Sequence, residues 1–297
     1  MFILRCSVVV FAFFVAACGT GQPADTGEHQ GVKQARNTVV IEGRAAQGTL
    51  EEARIDIYAL KGDIRRHLGK GYTDDQGDFA LELDQANDPL LLEVTAAGDG
   101  RSRMVCGALD GCGEAAFGET RPLPGDFRLT TLVMPGEPDG QPVAITPLTH
   151  MATGWARALP GPVDAASLRL ARDRMAGLMH LSADFAFQRV PAITGDNGSR
   201  PDSAAGRHAL MAVAFAERAA NSDRTLQKSL DGHLEAFINH DGQLRREGDY
   251  SLRGLLVSAG EIAAQRDILP GAQKNLRMLV ASAAGSQNRL ARAEGAL

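Results

Sequence analysis

The sequence predicts an α+β fold in two domains, an N-terminal antiparallel β-sandwich over residues 38–145 and a C-terminal all-α helical bundle over residues 146–297. Two observations predict it. Alternating or short apolar runs, broken by Gly, Asp, Asn and Pro, fill the first stretch as half-buried strands do. Beyond Ile145 the apolar residues recur at three and four, the spacing of amphipathic helices. A signal segment, residues 1–17, and a polar tether, residues 18–37, are expected ahead of both.

The signal segment opens Met1-Phe2-Ile3-Leu4-Arg5 and continues as an apolar run from Ser7 to Ala17. Roughly a dozen residues at ~1.5 Å each cannot cross ~30 Å of hydrocarbon, and the run fits the core of a secretory signal. It closes on Val15-Ala16-Ala17-Cys18, which resembles the lipobox of bacterial lipoproteins, with Val15 where Leu is commoner. The resemblance implies cleavage before Cys18 and a Cys18 carrying a diacylglycerol thioether and an amide-linked acyl chain. An ordinary signal peptide is the alternative. Three chains, at ~0.8 kcal/mol per buried methylene, hold a protein to a bilayer essentially permanently. Gly19 stands where such lipoproteins carry Asp when retained in the inner membrane, so the resemblance implies the outer membrane. Residues 19–37, GTGQPADTGEHQGVKQARN, have almost nothing to bury and read as a coil reaching roughly 25 Å.

Of the four cysteines, Cys6 would leave with the signal and Cys18 would be lipidated. Cys106 and Cys112 remain, in VCGALDGCG, with glycines at 107 and 111 to help the chain reverse. In an oxidising compartment a disulfide is expected. Zinc would want four ligands, and no His or further Cys lies near; free thiols are the third option. Without Arg5 the mature chain has 31 − 1 = 30 basic residues against 36 acidic, a net of −6. That balance argues against a nucleic-acid partner. A single Trp (Trp155) and three Tyr make a thin supply for stacking on sugars.

In the first half, TVVIEGRA, ARIDIYAL, DFALELD, LLLEVTAA and FRLTTLVM read as strands, with Ile55 and Ile57 facing inward and Arg54 and Asp56 outward. The succession VVIEG, ARIDIYAL, GYTDDQGDFALEL resembles the carboxypeptidase regulatory-like domain, a transthyretin-like β-sandwich. Gly43, Ala53 and the hairpin residues Thr73, Asp74, Gly77 and Phe79 carry the likeness; Asp88-Pro89-Leu90-Leu91-Leu92 departs from it. Such domains have no peptidase activity of their own, so the resemblance implies a scaffold. TDDQGDF gathers Asp74, Asp75 and Asp78 but lacks the Gly and the twelfth-position Glu of a calcium loop, and reads as a turn.

The helical half begins at ITPLTH, where Thr146 offers an N-cap and Pro147 suits the first helical position. A Thr-Pro-Leu-Thr start after a β-sandwich resembles the junction in other bacterial surface lipoproteins. Apolar stripes follow: Leu168, Ala171, Met175, Leu178 and Met179 behind Asp164 as cap, then Leu226, Leu230, Leu234, Phe237 and Ile238 behind Asp223. Similar stripes run through DSAAGRHALMAVAFAERAA, SLRGLLVSAGEIAAQ and NLRMLVASAAG. Five or six such helices imply a compact bundle.

No serine-nucleophile elbow, Ser-x-x-Lys pair, zincin spacing or phosphate-binding loop is present, and no cofactor is implied. The candidates left for chemistry are Thr146, Thr149 and His150 at the junction, with His208, His233 and His240 on separate helices. Asp196, Asn197, Ser199 and Asp202 form an acidic loop that turn chemistry explains. The expected function is that of a non-enzymatic, membrane-anchored envelope lipoprotein acting as a binding or scaffolding module, with the lipid bilayer and an envelope protein as partners. The alternatives are an envelope hydrolase with a site at the junction, or a glycan-binding surface protein.

Overall fold

A computed structural model describes residues 38–84, 87–137, 140–192 and 203–265, all within one compact unit, Asn37–Leu297. Cys18, the tether, the acidic loop at 196–202 and the NLRMLVASAAG stripe lie outside the described residues. The fold is α+β. Among the described residues ten strands come first: β1 (Thr38–Ala45), β2 (Leu50–Glu51), β3 (Arg54–Lys61), β4 (Ile64–Tyr72), β5 (Asp78–Asp84), β6 (Leu90–Thr95), β7 (Arg103–Val105), β8 (Thr120–Pro122), β9 (Arg128–Val133) and β10 (Val143–Ile145). The helices follow: α1 (Pro147–Ala158), α2 (Ala165–Met179), α3 (Ala204–Ala220), α4 (Leu226–Asn239) and α5 (Leu252–Gln265), with a 3-10 turn at Phe185–Phe187.

The strands form three sheets, ordered β10-β1-β5, β2-β7-β8 and β4-β3-β6-β9. Pairing is antiparallel except between β1 and β10, which run parallel from Gly43↔Val143 to Ala45↔Ile145. Gly43 makes that possible, because a Cβ there would collide with the Val143 carbonyl and crowd the Phe79 ring. In the four-stranded sheet Ile55, Ile57, Leu92, Val94 and Leu129 join a hydrophobic cluster that also holds Ile41, Leu81 and Leu83 of the β10-β1-β5 sheet. Gly69 and Gly71 of β4 leave room for Leu83 and Leu81 to approach.

The hairpin residues each have a structural task. Thr73, 3% exposed, donates to the Leu50 carbonyl at 2.6 Å and accepts from the Ala53 N–H at 2.9 Å, tying β4 to the start of β3. Asp74 accepts from the N–H groups of Gln76 and Asp78, both at 2.8 Å, and Gly77 turns with φ 77°. Asp78 is held by Arg44 at 2.6 Å and by Arg189 at 3.2 Å.

The hydrophobic cluster continues without a break into the helices through Leu132, Leu148, Met151, Met175, Phe215 and Phe237. This explains a departure from simple alternation. From Leu129 to Val133 both faces of β9 are buried, because α1 covers the side that a free sheet would expose to water. Arg172 of α2 fastens the layer, donating to the Leu132 carbonyl at 2.7 Å and pairing with Glu137 at 3.0 Å while it stacks on Phe187.

Two readings need correction. The cap of α4 is Thr225, whose hydroxyl accepts from the Lys228 N–H, whereas Asp223 sits two residues further out with φ 53°. Asp56 shares the outward face with Arg54 but is only 5% exposed, because Arg54 and His67 both close on its carboxylate, at 2.7 and 2.9 Å. The expected caps Thr146 and Asp164 are in place, and the stripe of α3 is close-packed core from Ala209 to Ala216.

Candidate functional site

At the junction the chain leaves β10 in extended conformation at Thr146 and turns at once into α1. Thr146 and Thr149 form a reciprocal capping box: each hydroxyl accepts from the other's N–H, at 3.3 and 2.9 Å. Thr146 Oγ1 also pairs with His208 Nε2 of α3 at 2.9 Å, and His150 Nδ1 pairs with Thr130 Oγ1 of β9 at 2.9 Å. The junction thus brings Thr146, Thr149, His150 and His208 together, and adds Thr130, which nothing in its own stretch of sequence singled out. It does not gather the other histidines. His233 lies between the rings of Phe215 and Tyr250 with Nδ1 2.7 Å from the Ser229 carbonyl, and His240 contacts the Ala236 carbonyl and Arg245.

Burial decides the chemistry here. His150 is 5% exposed and His208 fully enclosed. Loss of water around the ring, with Arg128 nearby, lowers His150 to about 4. Desolvation lowers His208 to about 3, opposed in part by the Phe185 backbone. Both rings are therefore neutral at pH 7. Among the described residues neither meets a carboxylate within hydrogen-bond distance, so no acid orients the imidazole or offsets the charge it would gain as a general base. The cluster can seal and align a sheet-to-helix seam.

The second feature lies at the disulfide. Cys106 and Cys112 are bonded, with Cα atoms 5.7 Å apart. The loop they close docks on α3: Glu217 accepts from the Leu109 N–H at 2.6 Å, and Gly107 leaves no space for a Cβ against Val213. Arg121 of β8 donates to the Cys112 carbonyl at 2.9 Å. Between this loop and the turn from α3 to α4 is a cleft of about 620 Å³, lined by Met104, Cys112 and Arg121 on one side and Ala219, Arg224 and Thr225 on the other. Arg224 is held at 2.5 Å by Asp249, whose carboxyl it keeps below its ordinary range. The cysteine spacing announces the loop. The cleft is built from segments a hundred residues apart, which no local pattern reveals.

Among the described residues no group of three or more His, Cys, Asp or Glu could hold a metal ion, and no helix is long and apolar enough to cross a membrane. In comparisons with known proteins, no family model, curated protein or solved structure matches the chain.

Proposed function

We propose that the protein is an outer-membrane lipoprotein, anchored through an acylated Cys18, whose folded part is a non-enzymatic binding or scaffolding module in the envelope. The observation that carries the non-enzymatic reading is the sealed junction, where the residues best suited to chemistry are neutral, buried and engaged in capping and packing. The lipobox and tether support the anchor, and the disulfide fits an oxidising compartment. We read residues 38–145 as a transthyretin-like β-sandwich and 146–297 as a helical domain resting on it. The structural roles of Gly43, Thr73, Asp74, Gly77 and Phe79 support that reading. The cleft beneath the disulfide loop is the concave surface a small partner group would enter.

Affinity capture of the tagged full chain from its own envelope after mild crosslinking tests this, with Cys18→Ser alongside and mass spectrometry of the N-terminal peptide. A triacylated Cys18 and a reproducible envelope partner are expected. An unmodified N-terminus would remove the anchor, and hydrolysis of envelope substrates lost in Thr146→Val or His150→Gln would restore the enzymatic alternative.

A further inference from the structure

The four-stranded sheet ends in a long open edge. Strand β4 pairs with β3 on one side and, among the described residues, with no strand on the other. Ile64, 70% exposed, and Tyr72, 41% exposed, mark the two ends of that edge as open to solvent. The register with β3 shifts between Ile57 and Tyr58, leaving Leu68 as an extra residue on β4. The bulge has a consequence for side-chain placement: Arg65, His67, Lys70 and Tyr72 all fall opposite Leu60, Tyr58, Asp56 and Arg54, on the outward face. Without the extra residue Lys70 and Tyr72 would turn inward.

The charge on this edge opposes that of the molecule. Arg65, Arg66 and Lys70 lie on β4 itself, and Lys61 faces Ile64 across the hairpin, with Asp63 in the turn as the nearby opposing charge. Some of the cations are already matched: Arg65 meets Glu93 at 3.2 Å and stacks on Tyr58, and Arg54 meets Asp56. Among the described residues Arg66 and Lys70 form no ion pair, although Lys70 lies across the ladder from Asp56. A second copy of the chain paired antiparallel on this edge would set Arg65, Arg66 and Lys70 against their own kind, which like-charge pairing disfavours. An extended segment with acidic side chains at alternate positions meets no such repulsion, and places its carboxylates on the outward face beside Arg65 and Lys70 while its backbone completes the open ladder.

We propose that β4 is a docking edge for an acidic, extended peptide segment of a partner protein, added as a fifth strand to the β4-β3-β6-β9 sheet. The inference names a partner class for the binding module proposed above, and it stands or falls independently of the lipid anchor and of the cleft.

The test uses detergent-solubilised full chain and two fluorescent eight-residue probes, one alternating Glu with Val and one alternating Lys with Val. Anisotropy is read at low and high salt, and amide hydrogen exchange is followed across residues 64–72. The Glu probe is expected to bind at least tenfold tighter than the Lys probe, to weaken at high salt, and to slow exchange in β4. Arg65→Gln with Lys70→Glu, both exposed and on the outward face, should abolish the preference for the Glu probe while circular dichroism stays unchanged. Equal binding of both probes, or binding that leaves β4 exchange unaltered, would overturn the proposal. So would binding to phosphatidylglycerol vesicles without peptide binding, or self-association of Arg66→Thr/Lys70→Thr in a protein that ignores the Glu probe. The last result would mean that the charges only guard the edge. If the probes fail while envelope capture still returns a partner, the binding-module reading survives and the edge does not.

Discussion

Acid should unfold this protein well before its carboxylates titrate, and three histidines set the size of the effect. Burial lowers His150 and His233 to about 4 and His208 to about 3, from an ordinary 6.5. In the unfolded chain all three protonate as pH falls through 6.5, while in the folded protein they stay neutral until pH 4 or below. The unfolded state thus binds more protons throughout that window, and stability falls with pH across it. The stabilisation is intact above pH 6.5 and is lost progressively toward the folded values. A shift of about 2.5 units corresponds to about 3 kcal/mol per ring when complete, of which about 2 kcal/mol is felt between pH 7 and 5. Three rings together give roughly 6 kcal/mol, comparable with the whole stability of ~5–15 kcal/mol usual for a folded domain. His180, also lowered by burial, acts in the same direction. Glu51, raised by burial, acts against it, gaining stability as it protonates. Urea unfolding followed by the fluorescence of Trp155, which is 3% exposed and the single tryptophan, measures this directly. With a slope of ~3 kcal/mol per M, the midpoint should drop by about 2 M from pH 7 to pH 5, and His150→Gln should remove about a third of that dependence. A midpoint that moves by less than roughly 0.5 M on that slope would show that these rings are not held neutral in the fold.

Three further outcomes are expected. Replacing Cys106 and Cys112 by Ser should cost about 2 kcal/mol, the entropy of a loop of roughly seven residues, and should speed exchange of the Leu109 amide that Glu217 holds; an unchanged urea midpoint would contradict it. Thr146→Val removes both the cap acceptor of α1 and the partner of His208 Nε2, so a loss of about 3 kcal/mol is expected in the same assay. Gly43→Ala should prevent folding or separate β1 from β10, because its Cβ meets the rigid Val143 carbonyl, whereas Gly71→Ala meets only the end of the Leu81 side chain and should be milder. Soluble yield and circular dichroism of the two variants rank them.

Elements that bury one clean face were legible in the sequence. The stripes of α2 and α4 show Leu168, Met175, Leu230 and Phe237 at the positions that are buried, and the caps Thr146 and Asp164 follow from side-chain chemistry within three residues. Strand β4 was not legible. IRRHLGKGY has no apolar alternation because its outward face carries charge and its inward face carries glycines that admit Leu81 and Leu83 from another sheet. The short strands β7, β8 and β10 have only three residues each, too few to show alternation, and β10 finds its partner β1 at the far end of the sandwich sequence. At the junction the N-cap Thr146 was local and therefore readable, while the return bond to Thr149 was not legible. Thr130 and His208 were not, since their meeting with His150 and Thr146 depends on α1 and α3 both lying against the sheet.

That dependence gives the seam its physical meaning. A purely apolar contact between β9 and α1 would tolerate sliding by a residue or a turn, because dispersion and hydrophobic burial are non-directional. Two buried hydroxyl–imidazole pairs do not tolerate it. A slip of α1 would strand Thr130 and His150 without partners, and a displacement of α3 would take Thr146 away from His208, at about 1–3 kcal/mol for each group left unsatisfied. Neutral histidine suits this task near pH 7, since it supplies a hydrogen-bonding ring to a dry interior without a charge that would need its own counter-ion. Because buried His150 and His208 resist protonation in the folded state, the feature that fixes the helices on the sheet is also one that acid works to release.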